Sequence, residues 1–155
     1  MSDIEIHTAR FAALDTTTLY ALLKLRVDVF VVEQRCPYPE LDDRDAEPGT
    51  LHVWAARDDQ PAQPGRPGGV PLGYLRVLTD PDGVARIGRV CTAAYGRGLG
   101  VAGRLLERAL AEIGDAPSRL DAQRYLVGFY TRYGYAATGP EYLDDGIPHV
   151  PMARG

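Results

Sequence analysis

The stretch from Arg86 to Glu112 constrains this chain more than any other. Arg86-Ile87-Gly88-Arg89-Val90-Cys91-Thr92 reads as a strand, and Ala93 to Gly96 as a turn. Ala102, Leu105, Leu106, Ala109, Leu110 and Ile113 then recur at i, i+3, i+4, i+7, i+8 and i+11, one apolar stripe of an amphipathic helix. Arg104, Glu107, Arg108 and Glu112 occupy the other side. Glycines at 98, 100 and 103 let the backbone approach a ligand closely where the helix opens. A first helical turn leaves N–H groups without partners and a partial positive charge facing outward. Such an arrangement binds phosphate.

The rest of the chain frames that unit. With 155 residues and 45% hydrophobic content, residues 1–155 form one domain with a single core. A formal charge of −4 argues against nucleic acid as a partner. The two cysteines, Cys36 and Cys91, fall in different elements, and without a secretory leader the expected location is cytoplasmic. No apolar run reaches membrane-spanning length, so no membrane partner is expected. His7, His52 and His149 are scattered without metal-ligand spacing, so no metal is expected.

Ile4, Ile6 and Phe11 predict a short opening strand. A helix capped by Asp15 or Thr16 carries Leu19, Leu22, Leu23, Val27 and Phe30. Arg26 shares that stripe, and the favoured reading packs its stem while the guanidinium snorkels outward; pairing with a carboxylate near the site is the alternative. Pro37 and Pro39 stop the helix, and Glu33 falls at the border of the core, as an ion-pair partner or a tuned proton acceptor. Glu40, Asp42, Asp43 and Asp45 form an acidic run, read first as a solvated loop and second as a lure for a cationic amine.

Thr50 to Ala56 alternates as a strand, in which His52 reads as a hydrogen-bonded structural histidine, though a base is conceivable. Arg57 to Pro71, rich in Pro and Gly, predicts a flexible hairpin connection to a strand at Leu72–Leu78. Asp80-Pro81-Asp82-Gly83 is a turn. Beyond the central helix, Ser118–Ala122 reads as a strand, Tyr125–Tyr133 as an aromatic helix closed by Gly134, and Tyr135–Thr138 as another strand. The tail from Tyr142 to Met152 supplies a tight turn and a last strand, which could pair across a homodimer.

Two families compete for the glycine turn. Gly98-Leu99-Gly100-Val101-Ala102-Gly103 matches the dinucleotide fingerprint literally, with Asp121 at a plausible offset. A doubly wound domain, however, needs further crossover units that the residues after Asp121 do not supply, and the consecutive strands of the first half suit antiparallel pairing. In a second register the same segment is Arg97-x-x-Gly100-x-Ala102, which resembles the acyl-CoA motif of the GNAT superfamily of N-acyltransferases. The likeness extends to Leu25-Arg26, Val29 to Tyr38, Ile87 to Val90, Ala122-Gln123, Phe129-Tyr130, Gly134-Tyr135 and Asp145 to His149, which resemble the ElaA-like branch.

That resemblance implies a mixed α/β fold, with a mostly antiparallel central sheet flanked by helices. It implies acetyl-CoA as co-substrate and a small-molecule or peptide amine as acceptor. Amides of Gly98, Leu99, Gly100, Val101, Ala102 and Gly103 would hold the diphosphate, with Arg97 shaping the turn or adding charge. Main-chain groups of Val90, Cys91 and Thr92, on a strand that splays from its neighbour, would polarise the thioester. Cys91 itself reads as an apolar filler and not a nucleophile. Tyr130, by residue pattern alone a core aromatic, matches the family's general acid. Gln123 stands where many relatives have a CoA-contacting Asn, and Ser118 where some have a glutamate base. Glu33 and His149 are the remaining candidates for a base, acting through ordered water. A CoA- or nucleotide-binding regulatory module without turnover is the reading from a different class.

Overall fold

The computed structural model describes residues 4–57 and 69–155. Strand β1 (Ile4–Arg10) leads into helix α1 (Thr16–Arg26), which continues as a π-helical segment over Val27–Glu33. Asp15 caps α1 by accepting from the Thr18 N–H at 2.7 Å. Strands β2 (Leu51–Arg57), β3 (Pro71–Thr79) and β4 (Ala85–Thr92) follow, then helix α2 (Val101–Ile113). The second half holds β5 (Ser118–Gln123), a short α3 (Val127–Thr131), β6 (Ala136–Ala137), β7 (Tyr142–Asp144) and β8 (Ile147–Arg154). The expected Pro/Gly connection lies largely outside the described residues, but the antiparallel pairing of β2 with β3 is that of a hairpin. No helix among the described residues is long and apolar enough to cross a membrane.

All strands among the described residues join one sheet in the order β1-β2-β3-β4-β5-β8-β6, with β7 also on β8. Every pairing is antiparallel except β4 with β5. The doubly wound alternative is therefore wrong: parallel crossovers would be needed throughout, and there is one. Strand β8 is engaged by β5 on one side and by β6 and β7 on the other, so it is not the free edge that the dimer expectation required.

Helices cover both faces. Val101, Leu105, Leu106 and Ala109 of α2 pack on Val53, Ala55, Leu75, Val77 and Ile87. Leu22, Leu25, Val29 and Phe30 pack on Tyr74, Cys91 and Ala93 across the sheet. This is why β3 is buried at every position from Pro71 to Leu78, without polar alternation. Gly73 brings α2 close: a Cβ there would lie 2.6 Å from Val101 Cγ1 and 3.0 Å from the Cys91 carbonyl oxygen.

Candidate active site

The sheet opens at its middle. β4 and β5 pair only through Ala85↔Ser118 and Arg86↔Arg119, so from Ile87 onward the β5-facing edge of β4 has no strand partner. Along that edge lies a cavity of about 710 Å³. Gly88 to Thr92 form one wall, Gln123, Tyr130 and His149 another, and Glu33 and Arg97 also line it. The splay expected of the central strand is thus present, and Val90, Cys91 and Thr92 lie on it.

At one end of the cavity the chain enters α2. Gly98 and Gly100 adopt left-handed conformations, φ +79 and +72, with nothing within 4 Å of where a Cβ would be. Gly100 is the N-cap, Val101 begins the helix, and Leu99 is exposed. Glycine is needed here for the positive φ, and the open space above it suits an approaching diphosphate. Gly103 serves packing: its Cβ would meet the Tyr133 hydroxyl at 2.8 Å. Arg97 turns its guanidinium to Glu33, Nη2 to Oε2 at 2.5 Å. Glu33 is therefore a half-exposed ion-pair partner and not a residue at the border of the core, because the π-helical turn ends in solvent.

Tyr130 is 4% exposed and lines the cavity. Burial pushes its pKa well above the ordinary phenol value, with Tyr135 and Tyr125 adding to the effect. His149 faces Gln123 on β5 and Tyr142 on β7 in one row across the sheet, stacked on the Tyr142 ring at 5.9 Å between centroids. Its Nδ1 lies 2.8 Å from the Ile147 carbonyl oxygen, which can only accept, so Nδ1 is the donor in that bond and Nε2 is the ring nitrogen left for other contacts. Gln123 donates from Nε2 to Gln34 Oε1 at 3.3 Å, a partner the sequence did not suggest.

Cys91 is buried and burial raises its thiol to about 12, so it is a packed thiol and no thiolate. Ser118 shares a buried hydrogen bond with the Tyr135 hydroxyl at 2.7 Å. His52 is structural: its Nε2 donates to the Asp45 carbonyl oxygen at 3.0 Å and its Nδ1 accepts from the Tyr74 hydroxyl at 2.6 Å.

Two expectations need correcting. Arg26 does not snorkel; it is fully buried, with Nη1 on Asp45 at 2.7 Å and Nη2 on Glu40 at 2.9 Å. The acidic run is not a solvated loop as a whole: Asp43 is exposed, but the other three carboxylates are taken up by arginines. Glu40 and Asp45 are buried, and Asp42 meets Arg76 at 2.6 Å. Three arginines from three elements neutralise these carboxylates, since burying them unpaired would cost too much. Arg76, Arg89 and Tyr38 also line the cavity. The two arginines' roles were hidden because their carboxylate partners lie far along the chain.

Comparison with known proteins agrees with this geometry. A family profile described as "Acetyltransferase (GNAT) domain" matches residues 29–154. A UPF0039 protein of Mycobacterium tuberculosis is 51% identical over 144 residues, covering 91% of this chain and 86% of its own. A crystal structure of an acyl-CoA N-acyltransferase from Pseudomonas aeruginosa superposes with a TM-score of 0.86 at 41% identity, covering 99% of this chain and 100% of that one. Escherichia coli ElaA superposes with a TM-score of 0.84 at 33% identity, covering 99% and 100%.

Proposed function

The chain belongs to the GNAT acetyltransferase family, and from that premise we propose that it moves acetyl from acetyl-CoA to a primary amine by direct attack in a ternary complex. The observation that carries this reading is the parting of β4 from β5 beside an approachable helix end, with the buried Tyr130 in the same cavity.

In this reading the diphosphate rests on amides of the Gly98–Gly103 segment. Arg97 is already there, held by a half-exposed pair with Glu33. Such pairs contribute at most about 1 kcal/mol, so a diphosphate can draw Arg97 across and leave Glu33 free. The pantetheine arm follows the unpaired edge of β4, and those main-chain amides of the Val90-Cys91-Thr92 stretch that face the gap polarise the thioester carbonyl. One such donor lowers a barrier by about 3 kcal/mol. The amine nitrogen bonds to the carbonyl carbon, the carbon–sulfur bond breaks, and Tyr130 protonates the leaving thiolate. Glu33, or Nε2 of His149, takes the ammonium proton through water. Cys91 forms no acyl-enzyme, because its thiol stays protonated.

The acceptor is a small-molecule or peptide amine, and the setting is cytoplasmic. Its attraction to the site rests on Glu33, Asp144 and Asp145, which line the cavity, and not on Glu40, Asp42 and Asp45, which are paired with arginines. The test is free thiol released from acetyl-CoA in the presence of a panel of amines, with calorimetry for CoA. Thiol release that depends on the amine supports transfer. CoA binding without release for any amine means a regulatory module, and no heat with CoA sinks the reading altogether.

A further inference from the structure

β4 carries one extra residue against β3. Gly88 pairs with Arg76 and Cys91 with Tyr74, three steps on β4 against two on β3. The surplus falls at Arg89 and Val90, and Arg89 takes φ +54, the left-handed region that a side chain other than glycine rarely occupies. The bulge opens the stretch, Val90 to Thr92, whose amides are assigned to the thioester carbonyl. A conformation this unfavourable persists only where the surroundings over-determine it.

The surroundings do so through the Arg89 side chain. Its Nε donates to Glu40 Oε2, and its Nη2 reaches the Glu40 carbonyl oxygen at 3.1 Å and Asp42 Oδ2 at 3.5 Å. The guanidinium lies over the Tyr38 ring, 5.5 Å from its centroid, and the Tyr38 hydroxyl donates to Glu40 Oε1 at 3.0 Å. Glu40 is anchored in turn by the buried Arg26. Directly opposite Gly88, Arg76 grips Asp42 and Asp45 of the same loop. The loop from Glu40 to Asp45 therefore holds both strands beside the bulge, with Arg89 as its tie to β4.

We propose that Arg89 is a positioning residue: tied to Glu40 and Asp42, it pins the β4 bulge and so aims the amides of Val90 to Thr92 at the thioester carbonyl. This rests on the transfer reading above. The tie depends on the planar fork of a guanidinium, which a lysine ammonium does not reproduce. Glycine at 89 would accept the positive φ without holding it.

The experiment compares wild type with Arg89→Gly and Arg89→Lys. Acetyl-CoA labelled with 13C at the carbonyl is bound without amine, and its carbonyl stretch is read by difference infrared spectroscopy. Turnover with amine, CoA affinity and thermal midpoint are measured alongside. We expect the wild-type band to be shifted to lower frequency and to return toward its solution position in both variants. We expect kcat to fall about tenfold or more, with CoA affinity unchanged to about twofold. An unmoved band together with an unchanged kcat in folded Arg89→Gly overturns the inference. Should Arg89→Gly fail to fold, Arg89→Lys decides by the same two readouts. If wild type binds acetyl-CoA but releases no thiol with any amine, the transfer reading fails while the band still judges Arg89. If wild type does not bind acetyl-CoA, both fall.

Discussion

Tyr130 stays protonated at neutral pH because its surroundings penalise a phenolate, which is what a donor to a departing thiolate requires. Removing only the hydroxyl keeps the ring that packs edge-on to Phe129 and Tyr135. Tyr130→Phe should therefore lower kcat by about a hundredfold or more while CoA binding by calorimetry is unchanged. Turnover equal to wild type would take Tyr130 out of the mechanism. The same burial that keeps the Tyr130 phenol protonated keeps the Cys91 thiol protonated. The role proposed for Tyr130 comes only from family likeness, since an aromatic on a short helix reads as core by its spacing alone. His52 was legible as structural, but its two partners, Tyr74 and the Asp45 carbonyl, were not.

At the scale of elements, the β4–α2 unit stands where its periodicity placed it, because strand, turn and helix are contiguous and each is set by local pattern. The π-helical stretch Val27–Glu33 was not legible, as a period of 3.6 continues through it without a break. Nor was the role of Gly73. With Val101, Leu105 and the Cys91 carbonyl around the missing Cβ, Gly73→Ala must push α2 off β3. We expect a loss of about 1–3 kcal/mol in urea denaturation and weaker CoA binding, since the N-terminus of α2 moves with the helix. A variant as stable as wild type would mean that α2 gives way more easily than so close a contact allows.

The whole molecule has an acid-sensitive half built from His52 and the arginine–carboxylate network. Burial lowers the His52 pKa, outweighing the bond to the Asp45 carbonyl, so the folded state holds it neutral. As pH falls below about 6.5 the unfolded chain protonates this histidine while the folded chain resists, and stability drops. Burial raises the carboxyls of Asp42 and Asp45, but the arginines outweigh it and hold both below the ordinary value of 3.8. Their contribution is present above that value and is lost as pH falls below it. The thermal midpoint should thus be level above about pH 7, decline from about pH 6.5, and fall more steeply below about pH 4. A midpoint flat from pH 7 to pH 3 would show that these pairs add nothing to folding.

What the amino-acid order determined by itself was most of the elements and the glycine turn that opens α2, because caps, glycines and hydrophobic periods act between near neighbours. It also carried the family, through motifs spread along most of the chain. What only tertiary structure decided was the fate of the charges. Arg26, Glu40, Asp42, Asp45, Arg76 and Arg89 come from α1, one loop and two strands, and a charge in a sequence looks solvated until folding removes the water. The free energy of burying an ion depends on whether its partner arrives with it, and that is a property of the packed molecule.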